Sequence, residues 1–174
     1  ETFIVVPRVS SENRKYIPMG FFDYNSIVSD TMLSIPNGTL YNFGVLMSEM
    51  HMTWVKYTCG RLKSDFRYSK DLVYNNYPWA KEINKKNKKK VEDKAQKVLD
   101  VRAEFPESSL ADLYHQLTMP PKLAKAHLEL DKAVDLCYRS QAFTNETARI
   151  EYLFDLYNQY TAPLLNEKKT KKKK

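Results

Sequence analysis

Apolar positions along the chain change period near residue 39, and that change divides the first half. From residue 1 to 36 the apolar stretches are short and punctuated. Phe3, Ile4, Val5 and Val6 form a run ended by Pro7; Tyr16 to Phe22 is aromatic and β-branched with Pro18 and Gly20 inside it; Ile27-Val28 and Met32 to Ile35 follow, closed by the turn signal Pro36-Asn37-Gly38. Such runs predict short strands of a small mixed or antiparallel sheet, with Pro18 marking an edge. From Leu40 the apolar residues recur every three or four positions through Phe43, Leu46, Met50 and Trp54. That spacing predicts one helix of roughly five turns over 39–58, with Thr39 as N-cap and Cys59-Gly60 as its end. Residues 60–79 read as irregular and largely extended, with a short strand at Leu72-Val73-Tyr74.

Beyond residue 81 every periodic stretch is helical. A lysine-rich helix over 81–104 carries Val91, Ala95, Val98 and Leu99 on one face. Ser109-Leu110-Ala111-Asp112 has the form of a capping box for a short helix. Pro120-Pro121 opens a helix with Leu123, Ala126, His127, Leu130, Val134, Cys137 and Tyr138 on one side. Thr144 is expected to cap the last helix, and Pro163 to follow its end. The predicted class is α+β: a small sheet with a long helix, then an all-α helical C-terminal domain. The boundaries expected are 1–82, 83–167 and a disordered lysine tail over 168–174.

Charge alters this picture less than it first promises. The chain of 174 residues has 28 Lys+Arg against 21 Asp+Glu, a formal +7. Eleven of those lysines lie in two runs, Lys85 to Lys90 and Lys168 to Lys174; without them 17 basic residues face 21 acidic. A basic balance favours polyanion partners, but lysine runs at a linker and a tail are commonly solvated. No apolar run reaches the length of a membrane span, and no signal sequence opens the chain, so no membrane partner is expected. Two cysteines, Cys59 and Cys137, fit reduced thiols in a cytoplasm. The chain opens without Met, as a piece of a longer polypeptide would.

Catalytic chemistry is not legible. Only four glycines occur, all isolated, which excludes a P-loop or dinucleotide fingerprint. His51, His115 and His127 lack metal-ligand spacing. Glu92-Asp93-Lys94 has the E-x-K form of many nucleases but sits inside a charged helix. Asn75-Asn76-Tyr77-Pro78-Trp79 has the wrong order for the Asn-Pro-Pro-aromatic loop of amino-methylating enzymes. What remains is Arg61 to Tyr68, where charged residues alternate with Leu62, Ser64, Phe66 and Tyr68. In an extended segment alternate side chains share a face, which would bring Arg61, Lys63, Asp65 and Arg67 together. Lysine donates to guanine O6 and N7, and a carboxylate accepts from cytosine N4. Lys63 and Asp65 are therefore expected to read one G·C pair. Arg61, Ser64, Arg67 and Tyr68 would touch the DNA backbone or support the pair, with Lys85, Lys86 and Lys88 as further backbone contacts. The plain alternative is a solvated loop with a weak Arg–Asp surface pair.

The same segment carries a resemblance. Met50-His51-Met52, Cys59 to Ser69 and Val73 to Trp79 resemble the C-terminal part of MmeI-like enzymes, which are large single-chain type II restriction–modification proteins, and of related class I DNA methyltransferases. The likeness extends to Pro7 to Glu12, Tyr16-Ile17-Pro18, Thr39-Leu40-Tyr41, Phe43 to Leu46, Ser109 to Tyr114, Leu117 to Pro121, Leu130 to Asp135 and Leu153 to Tyr157. It covers nearly everything except the lysine runs. It implies the end of a target recognition domain followed by a helical domain, with double-stranded DNA and the parent's methyltransferase domain as partners. It also points to Lys63 and Asp65 as determinants of one base pair. S-adenosylmethionine would be bound by the parent, which methylates adenine at N6, and no cofactor is expected within this fragment. The alternative function is a helical structural or interaction module with only non-specific DNA contact.

Overall fold

The computed structural model describes residues 2–171, with side chains described through residue 162. Six strands and six helices follow in the order β1 Thr2–Pro7, β2 Val9–Ser10, β3 Gly20–Asp23, β4 Met32–Pro36, α1 Leu40–Leu46, α2 Glu49–Thr58, β5 Gly60–Leu62, β6 Asp65–Arg67, α3 Lys85–Ala103, α4 Leu110–Leu113, α5 Pro121–Tyr138 and α6 Glu146–Lys171. A π-helical segment spans Lys70–Tyr74. The architecture is α+β, with two small antiparallel sheets and a helical C-terminal region.

The first sheet has the order β3-β1-β4, so the strand begun by the Phe3–Val6 run is central and the Gly20 strand is an edge. The central run is buried, with Ile4 and Val6 fully enclosed. The second sheet has the order β2-β6-β5 and holds the candidate segment. Ile27-Val28 is not a strand; Ile27 stands fully exposed in the loop between β3 and β4.

The helix expected over 39–58 is two helices. Thr39 caps α1 with a reciprocal bond to Asn42. The break falls at Met47-Ser48, where Ser48 caps α2 by accepting from the His51 N–H. Asp131, from α5, accepts the Glu49 N–H at 2.7 Å and so satisfies another open donor of α2. No local pattern announces a cap supplied from so far along the chain. Gly44 lies where α1 meets α3: a Cβ there would stand 2.7 Å from the Val91 Cγ1 and 3.1 Å from the Ala95 Cβ. Its missing side chain is what permits the close approach.

Later elements keep the predicted order with local corrections. Ser109 and Asp112 form the reciprocal cap of α4, and Pro121 opens α5. Residues 72–74 are π-helical rather than a strand, because Ser69 accepts the Leu72 N–H and turns the chain. α6 is capped by Asn145, which accepts from the Ala148 N–H at 2.8 Å, not by Thr144. α6 continues past Pro163 to Lys171; a proline forfeits one helical hydrogen bond yet has a φ that suits a helix. Of the expected disordered tail, 168–171 are thus helical, and residues 172–174 lie outside the described ones. One core joins both halves: Phe43, Met50 and Trp54 belong to the same cluster as Val91, Leu130 and Leu153.

Inside that core a polar chain ties α5 to the rest. The Tyr16 hydroxyl donates to Asp131 at 2.6 Å, and the Tyr16 ring stacks on His127 at 4.1 Å. His127 Nε2 lies 2.7 Å from the Tyr114 hydroxyl, which receives N–H groups from the buried Arg102. The second Arg102 arm donates to the Met19 carbonyl at 2.7 Å. Arg149 completes the fastening through a paired bond to Asp135.

Candidate nucleic-acid interface

β5 and β6 pair as Gly60↔Arg67, Arg61↔Phe66 and Leu62↔Asp65, which leaves Lys63 and Ser64 as a two-residue turn. The segment is therefore a tight hairpin and not one extended strand. Lys63 has φ 55°, and Ser64 is not in the left-handed region. Positive φ at the first turn residue alone is the pattern of a type II′ hairpin, where glycine is usual. A non-glycine residue held at such a φ costs on the order of 1–3 kcal/mol. The hairpin thus places a charged side chain at its tip against backbone preference.

The hairpin re-sorts the charged residues. Residues directly opposite share a face, and successive pairs alternate. Arg61 and Phe66 lie on one face; Gly60, Leu62, Asp65 and Arg67 lie on the other. The expectation that Arg61 joins Asp65 and Arg67 is corrected, because the turn at Lys63-Ser64 reverses the chain. Arg61 instead lies over the Phe66 ring at 4.2 Å and donates to the Ser64 carbonyl at 2.9 Å. Its nearest carboxylate is Glu12, at 3.9 Å. Asp65 is half-buried, and its Oδ1 accepts the Glu12 N–H at 3.3 Å. The Arg–Asp65 pair expected of a plain solvated loop is not among the described ion pairs. Lys63, Ser64 and Arg67 are exposed. The side chains of Lys63 and Arg67 have no hydrogen-bond or ion-pair partner among the described residues, and Lys63 is not neutralised by Asp65.

The hairpin is held from beneath. Phe66 and Tyr68 are each 3% exposed. The Tyr68 hydroxyl lies 3.0 Å from His51 Nε2, and His51 Nδ1 lies 2.9 Å from the Leu46 carbonyl. A carbonyl only accepts, so Nδ1 carries the proton and Nε2 accepts from Tyr68. Burial lowers the His51 pKa to about 4, against the opposing pull of the Leu46 carbonyl. Burial likewise pushes the Tyr68 phenol up. Tyr68 is accordingly a footing for the hairpin, almost wholly buried beneath it. Cys59 enters β5 half-buried as a free thiol, pushed up by that burial.

Two cations that the sequence did not single out stand beside the hairpin. Arg8 arrives because its carbonyl accepts the Tyr68 N–H at 2.8 Å and Val9 pairs with Arg67. Lys70 follows Ser69 on the turn out of β6. With Arg61 and Arg67 they line an open cleft of about 500 Å³ that also includes Gly60, Asp71 and Leu72. Only the pairing of β2 with β6 brings Arg8 there, so no local pattern signals it. Lys85, Lys86 and Lys88 lie exposed on the first turns of α3, which packs on α1 and α5. Lys88 faces the Tyr41 ring at 6.0 Å, and no described hydrogen bond or ion pair connects these lysines to the hairpin.

Among the described residues no group of His, Cys, Asp and Glu is placed to hold a metal ion, and no helix is long and apolar enough to cross a membrane. Two family models match the chain. The MmeI target recognition domain matches residues 1–81, and the MmeI C-terminal domain matches residues 83–165. DNA methyltransferase A of Bacillus subtilis (strain 168) is 45% identical over 158 residues, which are 91% of this chain and 18% of that protein. Among solved structures, the type IIL restriction–modification enzyme MmeI in complex with DNA superposes with a TM-score of 0.88 at 44% identity, over 92% of this chain and 21% of that one. The chain spans about a fifth of the length of these relatives.

Proposed function

The chain belongs to the MmeI family, matching its target recognition and C-terminal domains, and from that premise we propose that it reads a DNA sequence on behalf of a restriction–modification methyltransferase. The observation that carries the reading is the β5–β6 tip. Lys63 is exposed there without a partner and in a backbone region that disfavours it. Strain of this kind is kept where surrounding structure and use require it. Asp65, two residues on, has one carboxylate oxygen fixed by the Glu12 N–H and the other without a described bond. A hairpin of this width enters the major groove. There the ammonium of Lys63 would donate to guanine O6 and N7, and Asp65 would accept from the N4 amino group of the paired cytosine. The Glu12 bond holds the carboxylate still while it does so.

Arg61 braces the turn through the Ser64 carbonyl and Phe66, so its part is to keep Lys63 and Asp65 in register. Arg67 reaches the backbone, and Lys85, Lys86 and Lys88 add screened, sequence-independent attraction from α3. The reacting base is handled elsewhere in the parent, whose methyltransferase domain would bind S-adenosylmethionine, transfer a methyl group to adenine N6 and lie against this module. The cytoplasm is the compartment such an enzyme works in.

Binding of the full-length polypeptide to target and scrambled duplexes at two salt concentrations tests the reading. A recognition module keeps its preference for the target as salt rises, because base contacts are less salt-sensitive than phosphate contacts. Equal binding to both duplexes, vanishing together with salt, would identify a helical interaction module with adventitious lysine contacts.

A further inference from the structure

We infer that the cleft lined by Arg8, Arg61, Arg67 and Lys70 seats a stretch of DNA phosphodiester backbone beside the base pair faced by Lys63 and Asp65; this rests on the DNA-reading proposal and adds Arg8 and Lys70 to the contact surface. Four cations line this cleft; Asp71 is the one carboxylate in its lining, and Glu12 stands 3.9 Å from the Arg61 guanidinium. Asp71 stands 3.9 Å from the Lys70 ammonium and also accepts from the Asn75 amide. Neither Arg8 nor Arg67 has a side-chain partner among the described residues. Like charges gathered in one concavity repel, and their field is focused outward toward an anion. With so little negative charge built into the walls, the matching anion comes from outside.

Shape and position agree with the charge. The cleft measures about 500 Å³, more than a single phosphate occupies, so it accommodates successive backbone units. Gly60 lies in its wall directly opposite Arg67. A Cβ built at Gly60 meets nothing nearer than the Arg67 carbonyl at 3.9 Å, so the space above it is open. Guanidinium groups suit phosphate oxygens because their planar forks bind two at once. The arginine of β6 and the tip of the same hairpin belong to one rigid unit. Phosphate contact in the cleft therefore sets the depth and register at which Lys63 and Asp65 meet the bases.

The test uses the full-length polypeptide with Arg8→Gln/Lys70→Gln, and separately Gly60→Leu, which fills the cleft without altering charge. Binding to the target duplex and to a duplex changed at the target bases is followed as a function of salt, with inorganic phosphate at matched ionic strength as competitor. The Arg8/Lys70 variant is expected to flatten the log–log salt dependence by about 1–2. Affinity for both duplexes should fall by the same factor, leaving their ratio unchanged. Gly60→Leu is expected to weaken both duplexes together and to flatten the slope in the same direction. Inorganic phosphate should compete only weakly, since one phosphate fills little of the cleft. Unchanged slopes in both variants, or a changed ratio at constant slope, would overturn the cleft assignment. Competition by phosphate as effective as unlabelled duplex would overturn it in favour of a free-anion site. A wild-type ratio of one would instead defeat the base-reading proposal, and the slopes would still decide the cleft.

Discussion

Folding stability should fall by about 2 kcal/mol between pH 7 and pH 5, before ordinary carboxylates begin to titrate. His51 and His127 are buried and neutral, with pKa values lowered to about 4 and about 3, burial being the main cause in each. The unfolded chain takes up protons on both below pH 6.5 while the folded chain does not. Each group then loses about 1.4 kcal/mol per pH unit. Asp131 works the other way. Burial raises its pKa to about 6, against the Tyr16 bond that lowers it, so the folded chain gains a proton there first and recovers about 1.4 kcal/mol per unit below pH 6. Burial also raises Asp135, against the Arg149 bonds that lower it, so it acts in the same direction as Asp131; the two histidines still leave a net loss on acidification. Hydrogen bonding reinforces the sign: Tyr114 accepts from Arg102 and donates to His127 Nε2, so a protonated His127 would confront a hydroxyl hydrogen. Urea unfolding at pH 7, 6 and 5 measures the slope. A flat profile would contradict it, as would an unchanged slope in His51→Gln/His127→Gln.

Arg102→Ala should cost about 3–5 kcal/mol, the range for breaking a buried charged network by removing one member. Arg102 is 8% exposed. It donates to the Tyr114 hydroxyl and to the Met19 carbonyl, and its guanidinium lies 5.3 Å from the Phe43 ring centre. Truncation leaves the Met19 carbonyl without that donor, deprives Tyr114 of the bonds that orient it toward His127, and opens a void between α3 and the loop before β3. Arg102→Lys keeps charge and stem but not the fork, and should recover only part of the loss. Denaturant midpoints at unchanged m-value provide the check. A loss below about 1 kcal/mol would show the network to be dispensable.

Helical architecture was largely legible because its signals are local. Thr39, Ser109 and Pro121 mark helix starts by chemistry that acts within one turn, and the face of α5 from Leu123 to Tyr138 repeats with helical spacing. The break between α1 and α2 was hidden because part of its cap is Asp131, 82 residues from Glu49. The β5–β6 hairpin was hidden for a different reason. Its turn has lysine at a position where glycine or asparagine would have announced it, so the segment read as extended. Lys63 and Asp65 stand out by residue type and resemblance, but an extended segment misplaces Arg61, which belongs to the opposite face. Arg8 and Lys70 escaped notice because only the pairing of Val9 with Arg67 carries Arg8 to the cleft.

Charge exchange at the hairpin tip tests base discrimination there directly. The full-length polypeptide and its Lys63→Glu/Asp65→Arg variant would be titrated against duplexes altered one base pair at a time. The variant should lose roughly 1–3 kcal/mol of preference for G·C at a single position and shift toward the reversed pair there, with every other position unaffected. Identical profiles from the two proteins, or a loss spread evenly over all positions, would contradict it.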